Sequence, residues 1–186
     1  MRYSLIFLLC FASISPASTV LRNPSFEDSD MSPWTRTAIS GIRPWGQGSA
    51  SPQDGGWYVF TNAEASIEQT FGSIVGSSIT EFSLWIDRPT SSTIFVELLF
   101  SGGGTSGQTD ITSVTGAGWG QYDVLPLVDP ADNITGIKVT KLGTGTTRLD
   151  NFQLTVVPEP QTGVLIAVGL MVLLKQRRRT RSHSFA

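Results

Sequence analysis

The 186-residue chain holds one cysteine, Cys10, and one histidine, His183. Both fall in terminal stretches that read as processing signals. Between those stretches neither residue occurs, so no disulfide forms there. Nucleophilic catalysis that depends on cysteine or histidine is excluded from the same region, as are zinc sites built on those ligands. Charged residues are also few, at 15%. No amphipathic helical repeat emerges between about residues 18 and 155. A parallel α/β fold needs helices between its strands, so that class is excluded as well. Basic residues are scarce in the middle: seven stand there against fourteen acidic ones, a net charge of −7. An acidic body argues against a nucleic-acid partner.

What the middle does have is alternation. In EFSLWID, Phe82, Leu84 and Ile86 point one way, while Glu81, Ser83, Trp85 and Asp87 point the other. In TIFVELLF, Ile94, Val96, Leu98 and Phe100 share a face; Phe95 and Glu97 are expected to share the outer face of Trp85 on this next strand. Further strands are predicted over 56–61, 65–71, 121–127, 133–142 and 148–157, parted by Gly, Ser, Pro and Thr turn signals. Seven or more short strands in this length predict an all-β, antiparallel sandwich that folds without disulfides. Trp34 is expected to plug an end of the sandwich and Trp119 to anchor the start of a strand. Trp45 and Trp57 lie in or beside a Gly/Pro/Ser-rich loop over 39–56 whose length hints at a binding edge. The 101–108 segment reads as a glycine-rich hairpin loop and lacks the lysine and helix of a phosphate-binding loop.

The two ends are different in kind. MRYSLIFLLCFASISPAS opens with Arg2, continues in an apolar run and closes in small residues. Ser15 and Ala17 suit the −3 and −1 positions of a cleavage site, which predicts a secretory signal peptide over 1–17. Cys10 sits inside the apolar run, away from any lipobox-like setting. At the other end, 163–174 is an uncharged, Val/Leu/Ile-rich run. As a helix it spans about 18 Å, short against about 30 Å of hydrocarbon. Lys175 snorkelling lengthens the reach to roughly 24 Å. A core helix is not apolar all round and then followed by Lys175, Arg177, Arg178, Arg179 and Arg181. A transmembrane helix over about 162–174 is therefore expected, with a basic tail over 175–181 held in the cytoplasm and the preceding domain outside.

Val157, Pro158, Glu159 and Pro160, then a short apolar helix, then an arginine cluster, resemble the PEP-CTERM sorting signal of exopolysaccharide-producing Gram-negative bacteria. The resemblance covers 157–181, and SHSFA over 182–186 extends past the usual end. It implies an exosortase partner in the inner membrane that cuts near Pro-Glu-Pro, leaving the domain at the cell surface or outside. A plain single-span anchor would keep the topology and change only the release.

The domain over 18–157 carries a second resemblance. LRNPSFEDSDMSPWT opens it, ASIEQTF follows a Gly-Gly-Trp-Tyr, and TRLDNFQLTV closes it. This order resembles the galactose-binding-like jelly rolls, including carbohydrate-binding modules. Asn23-Pro24-Ser25 replaces their two glycines. The resemblance implies that first and last strands lie close, and that Glu27 and Asp150 hold a structural Ca²⁺ with backbone carbonyls, with Asp54 or Asp28 as further ligands. The plainer alternative has Glu27 capping a turn and Asp150 bonding a loop. Strand geometry puts Trp85 outside with Glu81 and Asp87, where an indole flanked by carboxylates can stack on a sugar ring. The alternative is that a loop covers it. No pair of carboxylates falls in a recognisable catalytic arrangement. The sequence is thus read as a non-catalytic, exported surface or matrix protein that binds extracellular polysaccharide. Its alternatives are a purely structural surface or adhesion component and, behind that, a secreted glycoside hydrolase.

Overall fold

A computed structural model describes residues 18–37, 40–44, 51–61, 64–88, 91–114 and 118–157. The signal segment, Pro158, Glu159, Pro160, the apolar run and the basic tail lie outside the described residues. Among those that are described, no helix is long and apolar enough to cross a membrane.

The described strands are β1 (Ser18–Thr19), β2 (Thr35–Thr37), β3 (Ser40–Pro44), β4 (Trp57–Thr61), β5 (Ala65–Val75), β6 (Ile79–Asp87), β7 (Thr93–Phe100), β8 (Thr109–Asp110), β9 (Trp119–Asp123), β10 (Asn133–Leu142) and β11 (Thr147–Val156). They form two sheets. One runs β3-β4-β11-β6-β9, with β1 also paired to β11; the other runs β2-β5-β10-β7-β8. All these pairings are antiparallel. The first and last described strands pair directly, Ser18 opposite Val156.

Alternation builds the core. Phe82, Leu84 and Ile86 of β6 face Ile94, Val96 and Leu98 of β7 across the sandwich, and all six are fully buried. Each such side chain contributes about 1.5–3 kcal/mol through burial. Two features tie the irregular first segment to this frame. Phe26, Trp34 and Phe152 cluster with ring centroids 4.6–6.1 Å apart, and the Trp34 indole donates to the Asn23 carbonyl. Gln69 is buried in β5, accepts from the Arg22 N–H at 2.9 Å and donates to the Arg22 carbonyl at 2.8 Å. An amide side chain there stands in for a strand neighbour.

The outer face of the β6 sheet gathers polar side chains from three strands. Glu81, Ser83, Trp85 and Asp87 lie opposite Thr155, Gln153, Asp150 and Arg148 on β11. On the other side, Ser83, Trp85 and Asp87 lie opposite Asp123, Gln121 and Trp119 on β9. Phe95 and Glu97 do not join this surface. Their strand β7 belongs to the second sheet, so the core lies between them and Trp85. The expectation that they share the outer face of Trp85 fails because the β6–β7 connection crosses from one sheet to the other.

Candidate functional site

At Asp150 the β11 ladder breaks step. The register with β6 shifts between Asp150 and Gln153, and Asn151 takes φ 43°. Asparagine tolerates that left-handed backbone better than most side chains. The bulge frees the Phe152 N–H from β6, and it donates to the Pro24 carbonyl instead. A cavity of about 320 Å³ opens beside the bulge, walled by Ser25 and Asp54 on the loops and by Glu81, Asn151, Gln153 and Thr155 on the strands.

Beside the cavity runs a chain of donors, of which Asn151 and Gln153 line it. Gln121 Nε2 donates to Ser83 Oγ at 3.0 Å, and Ser83 Oγ to Gln153 Oε1 at 3.4 Å. Gln153 Nε2 donates to Asn151 Oδ1 at 3.2 Å, and Asn151 Nδ2 to Gln53 Oε1 at 2.7 Å. All the links point the same way, so each polarises the next. A primary amide carries two N–H donors and two carbonyl lone pairs. Within the chain Gln153 and Asn151 each use one donor and one acceptor, half of that capacity.

Glu27 and Asp150 grip one segment from two sides. Asp150 Oδ2 accepts from the N–H groups of Gln53 and Asp54 at 2.8 and 3.1 Å, and Oδ1 from its neighbour Asn151. Glu27 accepts from Gly56 and Trp57. Gly55, at φ +61°, sits so close that a Cβ would lie 2.3 Å from the Glu27 carboxyl carbon. The bonding of a loop weighed as the plainer reading is thus on view. Among the described residues no three carboxylates, histidines or cysteines are grouped to hold a metal. Asp150 has no exposure, and burial pushes its carboxyl up to about 7, with the Asp54 charge adding to the rise. The backbone N–H groups hold it down only in part.

Trp85 is half-buried on the outer face. The 51–54 segment crosses nearby: the Trp119 indole donates to the Ser51 carbonyl at 2.7 Å, and Asp150, which binds Gln53 and Asp54, lies opposite Trp85. Glu81 is exposed and accepts from Thr155 Oγ1. Asp87 is placed otherwise than as an accessible sugar ligand. It is 3% exposed, ion-paired to Arg148, and accepts from the Gly118 N–H. The sequence put Asp87 on the outer face rightly, but overlooked that Arg148 sits opposite it. Asp28 is exposed and its N–H bonds Asn23. Trp45 lies outside the described residues. The donor chain had one faint signal, the run of polar residues at outward positions Ser83, Gln121 and Gln153.

No protein-family model matches this chain, and no curated protein matches it in sequence. Solved structures do. TmCBM61 in complex with β-1,4-galactotriose aligns over 74% of this chain and 97% of its own, with TM-score 0.55 and 15% identity. The bacteriophage CBA120 tailspike protein 4 enzymatically active domain aligns over 75% of this chain at TM-score 0.57 and 14% identity. This chain spans only 21% of the tailspike's length. The fold is an all-β antiparallel sandwich that matches the jelly roll of TmCBM61.

Proposed function

We propose that this jelly roll binds a glycan on the outer face of the β6 sheet, without catalysing a reaction on it. The donor chain from Gln121 to Gln53, beside an open cavity, is the observation that carries the reading. A sugar hydroxyl both gives and takes a hydrogen bond, and a row of amides offers both. Trp85 and Glu81 lie four residues apart on one strand face, about 14 Å. Trp85 supplies an apolar wall at one end and Glu81 an acceptor at the other. A pull-down of the full chain on insoluble polysaccharides tests this. Retention that is lost in Gln153→Ala, with melting unchanged, is expected. Absence of retention on every polysaccharide, or indifference to Gln153→Ala and Trp85→Ala together, would favour a structural spacer.

Export, exosortase sorting through Val157, Pro158, Glu159 and Pro160, and residence in a surface or biofilm matrix belong to the same proposal. Their support is the order of segments in the sequence. A structural Ca²⁺ is proposed alongside, held by Glu27 and Asp150 with neighbouring oxygens; it would neutralise a carboxylate that burial alone leaves hard to ionise. A rise in melting temperature on adding Ca²⁺, reversed by a chelator, is expected; no shift removes the ion.

A further inference from the structure

The cavity beside the β11 bulge has chemistry more particular than glycan binding in general. Two carboxylates wall it, Asp54 from the loops and Glu81 from β6. Each is steadied from one side by a hydroxyl that also lines the cavity. Ser25 Oγ donates to Asp54 Oδ2 at 2.9 Å, and Thr155 Oγ1 to Glu81 Oε2 at 3.0 Å. Asp54 Oδ1 and Glu81 Oε1 have no described partner. None of the described lining residues is basic.

We propose that this cavity takes an amine-bearing hexosamine unit of a glycan chain; the inference rests on the glycan reading above and specifies its ligand class. An ionised carboxylate only accepts hydrogen bonds, and an ammonium only donates, with three N–H groups. Two acceptor-only walls therefore match a protonated amine in both charge and donor count. A neutral hydroxyl brings a single donor and no charge. An acetamido group at the same position brings one N–H donor and no charge, beside a carbonyl that carboxylates repel. A uronate brings a like charge, which such walls repel. The amides Asn151 and Gln153 complete the ring of contacts, since they serve the hydroxyls on the rest of the sugar whatever its charge.

The test is calorimetric titration of the full chain with four probes: a β-1,4-linked glucosamine oligomer, its fully N-acetylated counterpart, a neutral galactan and a polyuronate. The glucosamine oligomer is expected to bind about tenfold more tightly than the acetylated one, with the gap narrowing as salt rises. Glu81→Gln, an exposed and isosteric change, is expected to erase most of the gap while leaving melting in place; Asp54→Asn should do the same. Equal affinity for the acetylated oligomer or galactan, sensitive to Gln153→Ala, would overturn the amine preference and leave the glycan reading standing. Preference for the amine that survives Glu81→Gln with Asp54→Asn would also overturn it. Binding to none of the four would remove both.

Discussion

Consider replacing Asp150 with asparagine and following stability against pH. In the fold its carboxyl is pushed up to about 7, chiefly by burial, from an ordinary value of 3.8. Below about pH 4 the group is protonated in folded and unfolded chains alike, and its burial as an acid carries no charge penalty. Between about pH 4 and 7 the unfolded chain has released the proton and the folded one keeps it. Stability therefore falls as pH rises through this window, and levels off above about 7. Three pH units at about 1.4 kcal/mol each give a loss of about 4 kcal/mol. At roughly 3 °C per kcal/mol for a domain of this size, melting drops by about 10 °C. Asparagine does not titrate. It gives up one of the three N–H bonds, a pH-independent cost of about 1 kcal/mol. Urea denaturation at a series of pH values, with chelator present, measures both proteins. The wild-type minus variant difference should decline across pH 4 to 7. A flat or rising difference would refute the assignment of a burial-dominated carboxyl at this position. Added Ca²⁺ should flatten the decline, because an ion bound at the carboxylate restores the preference for the charged form.

Three other perturbations read separate parts of the molecule. Phe152→Ala removes the ring that touches both Phe26 and Trp34; a loss of about 3–5 kcal/mol in denaturant titration is expected. Arg148→Met strands the buried Asp87 carboxylate and should cost about 3–5 kcal/mol, whereas Arg148→Met with Asp87→Leu should recover most of it. Gly55→Ala puts a methyl against the Glu27 carboxyl and strains a left-handed backbone; a loss of more than about 1 kcal/mol is expected, with weakened hydrogen-exchange protection at Gly56 and Trp57.

The period-two pattern determined the all-β class, because alternate side chains must leave a strand on opposite sides. It placed the strands of EFSLWID and TIFVELLF, the inward trio Phe82, Leu84 and Ile86, and the outward position of Trp85. Trp119 opens β9, the strand start expected of it. The short strands β2, β3 and β8 were not legible, since two to five residues carry little periodic signal. Pairing was beyond the sequence altogether. Which strand lies beside which depends on crossovers between sheets. So only the tertiary structure separated Phe95 and Glu97 from Trp85, set Arg148 against Asp87, and aligned Gln121, Ser83, Gln153, Asn151 and Gln53 into one chain. Local alternation is written in neighbouring residues. Contacts between residues a hundred or more positions apart arise only when two sheets close on a shared core.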